Sequence, residues 1–432
     1  MIYVIGDNII SSLGFTTKEN YHAVKQGITG LKYYETGVFD LPEAFMASLI
    51  DKEKLNDEYI LHCGLDPQSP DFTCHCGLDP QSPSTKDADF CRKDNYTNFE
   101  KAAILSVYNA NEEAQIDLSS KSVLFILSTT KGNVDLLALP NLPKKEEPSP
   151  LSSGEGQEER RYLWRSAQLI AGFFRNHNTP MVVSNACISG LAAQIAAMRE
   201  LQAGNYNYAV VVGIDFLSKF IISGFQSFKA LSPEICRPFD KNRCGLNLGE
   251  AAATIIFSTD KRHKIFRQKA IFSLVNGAIR NDASHISAPS RTSEGSYRAL
   301  NYILNNSLTP NGFTAKSLIS QISFINAHGT ATPYNDAMEV NAIVKAGLEK
   351  TPVNSLKPFF GHTLGATGVL ESIISMKASE ENLRLKSMNF EEYDFENQIT
   401  ISQENHFSDK KYFIKMLSGF GGVNAALIFE KE

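Results

Sequence analysis

Short segments rich in β-branched residues alternate with longer segments of three-to-four apolar spacing along nearly the whole chain, and that alternation leaves few folds open. "SVLFILST" (122–129), "YAVVVGIDF" (208–216), "AATIIFS" (252–258), "IFSLVNGAI" (271–279) and "QISFINAHG" (321–329) read as short buried strands. "FIKMLSGFGGVNAALIF" (413–429) reads as two strands around a glycine turn. Helical periodicity covers 97–115, 188–203, 334–349 and 364–378. Strand and helix alternating in both halves predict α/β layers. The charged "TDKRHKIFRQK" after residue 258 predicts a break there, giving units 1–258 and 259–432.

Composition narrows the class further. The 432 residues, 43% hydrophobic and 21% charged, suffice for two domain-sized units with ample core. A net charge of −5 favours neither nucleic acid nor an acidic membrane face as partner. No stretch approaches the roughly 20 uninterrupted apolar residues of a membrane span. "MIYVIGDNII" lacks the basic region and cleavage pattern of a secretory signal and reads as a first strand. Seven cysteines, four of them within 63–91, make no even disulfide framework, so a reducing cytoplasmic compartment with free thiols is expected.

Two segments look inserted. "HCGLDPQSPDF" (62–72) is nearly copied by "HCGLDPQSP" (75–83), which gathers His62, Cys63, Cys74, His75, Cys76 and Cys91. "CHC" is no Cys-x₂-Cys knuckle and no second knuckle follows, so a solvated loop is expected over 62–91 and no metal. "PKKEEPSPLSSGEGQEERR" (143–161) mixes charge with Pro, Ser and Gly and predicts a mobile surface loop.

The chemistry gathers at three strand-to-helix turns. In "VVSNACISG" (182–190), Cys187 stands between the apolar "PMVVS" and "ISGLAAQIAAMRELQAG", whose spacing predicts an amphipathic helix starting at the thiol. A helix N-terminus carries unpaired N–H groups and partial positive charge, which predicts a thiol pKa below about 8.5. Ser189 and Gly190 are small enough for a substrate to approach the sulfur. An inert packed cysteine is the competing reading of this stretch. "NAHGTATPYND" (326–336) places His328 after a strand, followed by Thr330 and Thr332, and "NSLKPFFGHTLGATG" (354–368) places His362 between glycines before a helix. His22, His177, His263 and His406 have no such settings and read as surface or packing residues. Two histidines in Gly-flanked turns, with a cysteine in the same setting, favour catalysis.

These motifs carry a specific resemblance. With "RPFDKNRCGLNLGE" (237–250), "NDASHISAP" (281–289) and "GFGGVNA" (419–425), they occur in the order of a β-ketoacyl-[acyl carrier protein] synthase of the elongating type, in the thiolase superfamily. The tail lacks the second catalytic cysteine of a degradative thiolase. The resemblance implies a thiolase-like fold, two pseudo-duplicated halves forming a five-layered αβαβα sandwich. It implies that Cys187 holds an acyl thioester, that His328 and His362 stabilise an enolate derived from malonyl on acyl carrier protein, and that Lys357 and Glu339 form a supporting ion pair. It further implies an oxyanion hole from the N–H groups of Cys187 and Phe420, a Phe420 gate hinged by Gly419 and Gly421, and pantetheine contacts from Thr330 and Thr332. Arg237, Asp240 and Glu250 would be architectural, as would "NDASHISAP". No metal or organic cofactor is implied, because loss of CO₂ generates the carbanion. A homodimer, or a heterodimer with a second ketosynthase-like subunit, is the implied assembly.

Ile188, Phe359, Phe360 and Val423 depart from the family pattern, and the segment before Cys187 is short. These departures bear on the acyl pocket and point to a polyene pigment or other secondary lipid rather than bulk fatty acids. A non-catalytic chain-length-factor-like subunit is the alternative; such partners lose the nucleophile, which this chain retains.

Overall fold

A computed structural model of the protein describes residues 1–62, 96–134, 136, 161–261, 272–307 and 315–432. The duplicated segment beyond His62 and the stretch 143–160 lie outside them, so the expectations placed there, the cysteine cluster included, have no structural counterpart here.

Among the described residues, ten strands make the main sheet: β1 (Ile2–Ser11), β2 (Val123–Ser128), β3 (Met181–Val183), β4 (Tyr208–Asp215), β5 (Ala251–Ser258), β6 (Phe272–Asn281), β7 (Ile322–Asn326), β8 (Val353–Asn354), β9 (Tyr412–Gly419) and β10 (Val423–Lys431). The first five run in the order β1-β5-β4-β2-β3 and the last five in the order β6-β10-β9-β7-β8. Within each set, the first two pairings are antiparallel and the last two parallel. The second half therefore repeats the topology of the first, strand for strand. Each half thus carries a mixed sheet. Here the two are continuous, joined where Ile2, Tyr3 and Val4 of β1 pair antiparallel with Leu274, Ser273 and Phe272 of β6.

Helices complete the layers: α1 (Asn98–Ala114), α2 (Leu163–Phe173), α3 (Ser189–Gln202), α4 (Lys219–Ser227), α5 (Glu294–Asn306), α6 (Pro333–Lys345), α7 (Lys357–Phe360) and α8 (Thr367–Glu380). On one outer face α1 packs on β1, β4 and β5 and α2 on β2 and β3; on the other, α5 packs on β6, β9 and β10 with α6 behind it. Between the half-sheets lie α3 and α8, each touching strands of both halves. This is the expected αβαβα order, and three of the four apolar cores among the described residues coincide with the three helical layers. No helix among the described residues is long and apolar enough to cross a membrane.

The middle layer departs from the sequence reading in two ways. The helix after Cys187 is not amphipathic in effect: its first ten residues are buried but for a partly exposed Ala196, because sheets flank it on both sides. Gly190 does not open a path to the sulfur either. A Cβ there would stand 2.9 Å from the backbone of Gly368, and one on Gly368 would stand 2.5 Å from Leu191 N. The two glycines let α3 and α8 cross backbone to backbone, and Gln194 Nε2 spans the crossing by donating to Gly190 O (3.1 Å) and Gly368 O (3.0 Å).

Because backbone atoms cannot yield as a flexible side chain can, Gly190→Ala and Gly368→Ala should each destabilise the protein by about 1–3 kcal/mol, the cost of overpacking a core. Thermal unfolding of the purified variants measures this, and melting temperatures equal to wild type would show that the crossing relaxes freely.

Candidate active site

Cys187 lies in a tight elbow between β3 and α3. Ala186 adopts a left-handed conformation (φ 47°), which costs a non-glycine residue of order 1 kcal/mol or more. Ser189 holds the elbow shut: its hydroxyl donates to Ala186 O (2.5 Å) and accepts from Asn185 N–H (2.7 Å). The thiol is thereby presented at the inner end of a cavity of about 430 Å³, which is also lined by His328, His362, Thr330, Thr332 and Phe420. Exposed Ile286, Tyr334 and Phe228 stand at its rim.

The histidines arrive from the other half of the chain. His328 follows β7, and its backbone is held by Glu339 of α6, which accepts N–H from His328 and Gly329 at 2.7 Å each. His362 follows α7, with its own N–H donating to Asn247 O at 2.7 Å and its carbonyl accepting from Gly249 N–H at 3.1 Å. Gly361 (φ 66°) makes this possible, since a Cβ there would meet Leu248 O at 2.4 Å. The two rings meet edge to face at 5.0 Å, and one donor atom from each lies within 4.8 Å of the other and of Cys187 Sγ.

Electrostatics sets the proton positions. Burial pushes both imidazoles well below their ordinary range, and the Lys357 ammonium pushes the same way, so both rings are neutral. His362 Nδ1 faces the Leu364 N–H (3.4 Å) and the Thr367 hydroxyl (3.1 Å). With Nδ1 accepting from Leu364, the proton sits on Nε2, a buried donor with no protein partner. His328 Nδ1 is likewise buried and unpaired.

The thiol behaves differently from the expectation. Burial raises the Cys187 pKa to about 11, against the lowering pull of Lys357 and of the N–H groups of Phe420 and Cys187 directed at the sulfur. The sulfur precedes the first residue of α3 by two positions and is enclosed, so desolvation of a thiolate outweighs the helix end. The resting nucleophile is a thiol, and its proton must pass to a neighbouring base, for which a neutral imidazole is at hand.

Lys357 and Glu339 do not form the expected ion pair. Lys357 Nζ lies 2.6 Å from Glu371 Oε1 on α8, while Glu339 is occupied by backbone N–H groups and by Asn335 Nδ2 (2.9 Å). Burial, with Asp336 alongside, raises Glu339 to about 7. Phe420 is partly exposed and sits between Phe225 and Phe228, with ring centroids at 5.9 and 5.7 Å. Of its flanking glycines, Gly421 has positive φ, as does Gly422. Gly419 instead packs on the elbow, where a Cβ would meet Cys187 N at 3.1 Å. Thr330 and Thr332 hydroxyls share a 2.9 Å bond on the cavity wall. Ile188, Phe359 and Phe360 are packed in the central core and line no part of this cavity, whereas Val423 only abuts that core.

Asp240 and Glu250 are structural as expected: Asp240 accepts N–H from Asn242, Glu391 and Glu392, and Glu250 from Ile50 and Leu217. Arg237 reaches Glu391 at 3.5 Å. "NDASHISAP" does more than the sequence reading allowed: His285 to Pro289 line the cavity, and Ile286 O accepts the Gly421 N–H (2.7 Å), tying this loop to the Phe420 turn. The sequence reading also missed Glu371 and Lys415, although a lone acid in "VLESIIS" and a lone lysine in "FIKML" are each conspicuous among apolar neighbours. A cysteine and two histidines this close could also ligate a metal ion.

Comparison with known proteins assigns the arrangement. The chain matches the "Beta-ketoacyl synthase, N-terminal domain" over residues 100–263 and the "Beta-ketoacyl synthase, C-terminal domain" over 271–391, together well over half of it. It is 33% identical over 264 residues to 3-oxoacyl-[acyl-carrier-protein] synthase 2 of Rhizobium meliloti, covering 58% of this chain and 60% of that one. The same enzyme of Vibrio harveyi is 29% identical over 265 residues, 58% of this chain and 61% of that one. The chain thus spans about three fifths of the length of the curated relatives it matches. Among solved structures, a ketosynthase of Xenorhabdus doucetiae in complex with its chain length factor superposes with TM-score 0.77 at 20% identity, over 100% of this chain and 98% of that one. A beta-ketoacyl synthase of Burkholderia phymatum gives TM-score 0.77 at 22% identity, over 100% and 99%. The fold is thiolase-like. This chain belongs to the β-ketoacyl synthase family.

With the thiol raised to about 11, alkylation of Cys187 by iodoacetamide should climb with pH, roughly tenfold per unit, to about pH 10 or beyond. Peptide mass spectrometry of the timed reaction reads it, and a rate already level below pH 8 would mean that the thiolate is the resting form.

Proposed function

We propose that the protein catalyses decarboxylative condensation of an acyl group, held as a thioester on Cys187, with a malonyl group delivered on acyl carrier protein. One observation carries this reading: a cysteine and two neutral imidazoles, from opposite halves of the chain, converge within 4.8 Å at the inner end of a cavity. Transfer of the acyl group to Cys187 moves the thiol proton to an imidazole and then to the departing carrier thiol. Acylation removes the need to bury a thiolate, so the raised thiol pKa does not oppose the intermediate. The malonyl thioester then places its carbonyl at His328 and His362, whose ring N–H groups stabilise the enolate formed as CO₂ leaves. An imidazolium would instead hold the malonyl carboxylate as an ion pair, so neutral rings suit the step. The carbanion attacks the Cys187 thioester, and the N–H groups of Cys187 and Phe420, already aimed at the sulfur, receive the tetrahedral oxyanion. Its collapse breaks the C–S bond and expels Cys187 as thiolate, which regains a proton from solvent by way of an imidazole.

To Thr330 and Thr332, which line the cavity, this reading gives contacts with the pantetheine arm, and to Phe420 the role of a gate. The reaction calls for no metal or organic cofactor, because decarboxylation supplies the carbanion. The proposed assembly is a homodimer through β3, an edge strand of the sheet, with pairing to a second ketosynthase-like subunit as the other form. The functional units are 1–258 and 259–432, the compartment is the cytoplasm, and the product is a specialised lipid. A non-catalytic chain-length-factor-like role is disfavoured by the intact Cys187, His328 and His362.

With purified acyl- and malonyl-carrier proteins, Cys187→Ala should abolish condensation while decarboxylation of malonyl-carrier survives. His328→Ala and His362→Ala should lower decarboxylation by about 10²–10³, as loss of an oxyanion donor does. Retention of both activities by Cys187→Ala would overturn the assignment.

A further inference from the structure

Beneath the histidines one carboxylate is shared by two ammonium groups. Lys357 Nζ lies 2.6 Å from Glu371 Oε1, and Lys415 Nζ lies 2.6 Å from Glu371 Oε2, with Lys side chains 0% and Glu371 2% exposed. Two positive charges against one negative leave a positive excess where water does not reach, because Glu339, raised to about 7, is protonated at lower pH. Lys415 also donates to the carbonyls of Asn326 (3.4 Å), Ala327 (3.1 Å) and Met416 (3.1 Å). Ala327 directly precedes His328, and Glu371 lies on the helix that follows His362. Lys415 itself belongs to β9, the strand that ends at Gly419 beside Cys187. From the strand that passes beside Cys187, a single side chain thus bonds to the backbone before His328 and to the helix after His362.

We propose that Lys415 is a positioning residue: by sharing Glu371 with Lys357 it keeps an uncompensated positive charge under His328 and His362, holding both rings neutral, while its carbonyl bonds fix the backbone that carries His328. The inference rests on the condensing activity proposed above. The groups facing Lys415 are Glu371 on α8, Lys357 on α7, Glu339 on α6 with Asp336 behind it, and the two imidazoles. Burial lowers Lys415 to about 8, so its charge is present below that pH and fades above it. The excess charge therefore acts where it matters, in the acid and neutral range where an imidazole would otherwise take up a proton.

The test combines histidine ring NMR titrations with pH–rate profiles of malonyl-carrier decarboxylation, on wild type, Lys415→Met and Lys415→Arg. In Lys415→Met the His328 and His362 titrations and the acid limb of the profile should move up by about one pH unit, so that activity on that limb falls about tenfold while the plateau stays level. Lys415→Arg, which keeps the charge, should leave both near wild type. Wild type alone provides a check independent of variant folding: the ring shifts of both histidines should inflect near pH 8 as Lys415 loses its proton. A flat shift between about pH 7 and 9, or unchanged histidine titrations in folded Lys415→Met, would overturn the proposal. Absence of decarboxylation by wild type would instead refute the proposed activity, while the ring titrations would still decide the role of Lys415.

Discussion

Gly190 and Gly368 set the distance on which this molecule depends. Cys187 stands three residues before one, His362 six residues before the other, and the contact between their backbones brings α3 and α8 as close as helices can come. Each half supplies one of the two crossing helices, so the site is assembled by the same packing that joins the halves. Gln194 satisfies polar groups at the crossing and makes it specific as well as close. The elbow at Ala186 and the turn at Gly361 then aim the sulfur and the imidazole toward each other from their helix starts.

Around that crossing the protein keeps its reactive groups uncharged and its charges at one remove. The thiol is protonated and both imidazoles are neutral, chiefly through enclosure away from water, with the nearby ammonium groups acting further on the imidazoles. The full charges of Lys357, Glu371 and Lys415 are buried behind them, paired and hydrogen-bonded. Removing Glu371 would leave two buried ammonium groups without their shared carboxylate, a costly state, so the cluster constrains the core as well as the chemistry.

Most of the fold was legible in the sequence because its strands are buried on both faces. Continuous apolar runs such as "SVLFILST" and "AATIIFS" fell within a residue or two of the strands they became. The site was legible where motif and chemistry coincide, at Cys187, His328 and His362. What escaped were properties of assembly. The spacing of Lys357 and Glu339 does not reveal that Glu371, one turn into a different helix, takes the lysine. The helix after Cys187 suggested an acidic thiol, but the degree of enclosure, which reverses the shift, depends on strands more than 200 residues away. Gly190 read as a vacancy for substrate because nothing local announces Gly368. The resemblance cast "NDASHISAP" as architecture, whereas its loop forms the cavity rim through a bond to the Phe420 turn.

The placement of Phe420 links access to readiness. Its ring rests between Phe225 and Phe228 at the surface while its own amide points at the sulfur. Any swing that carries the ring and its peptide out of the channel breaks both aromatic contacts and withdraws that amide in the same movement. If Phe420 is the proposed gate, opening it would leave the proposed oxyanion cradle incomplete, so loading and bond formation would take turns.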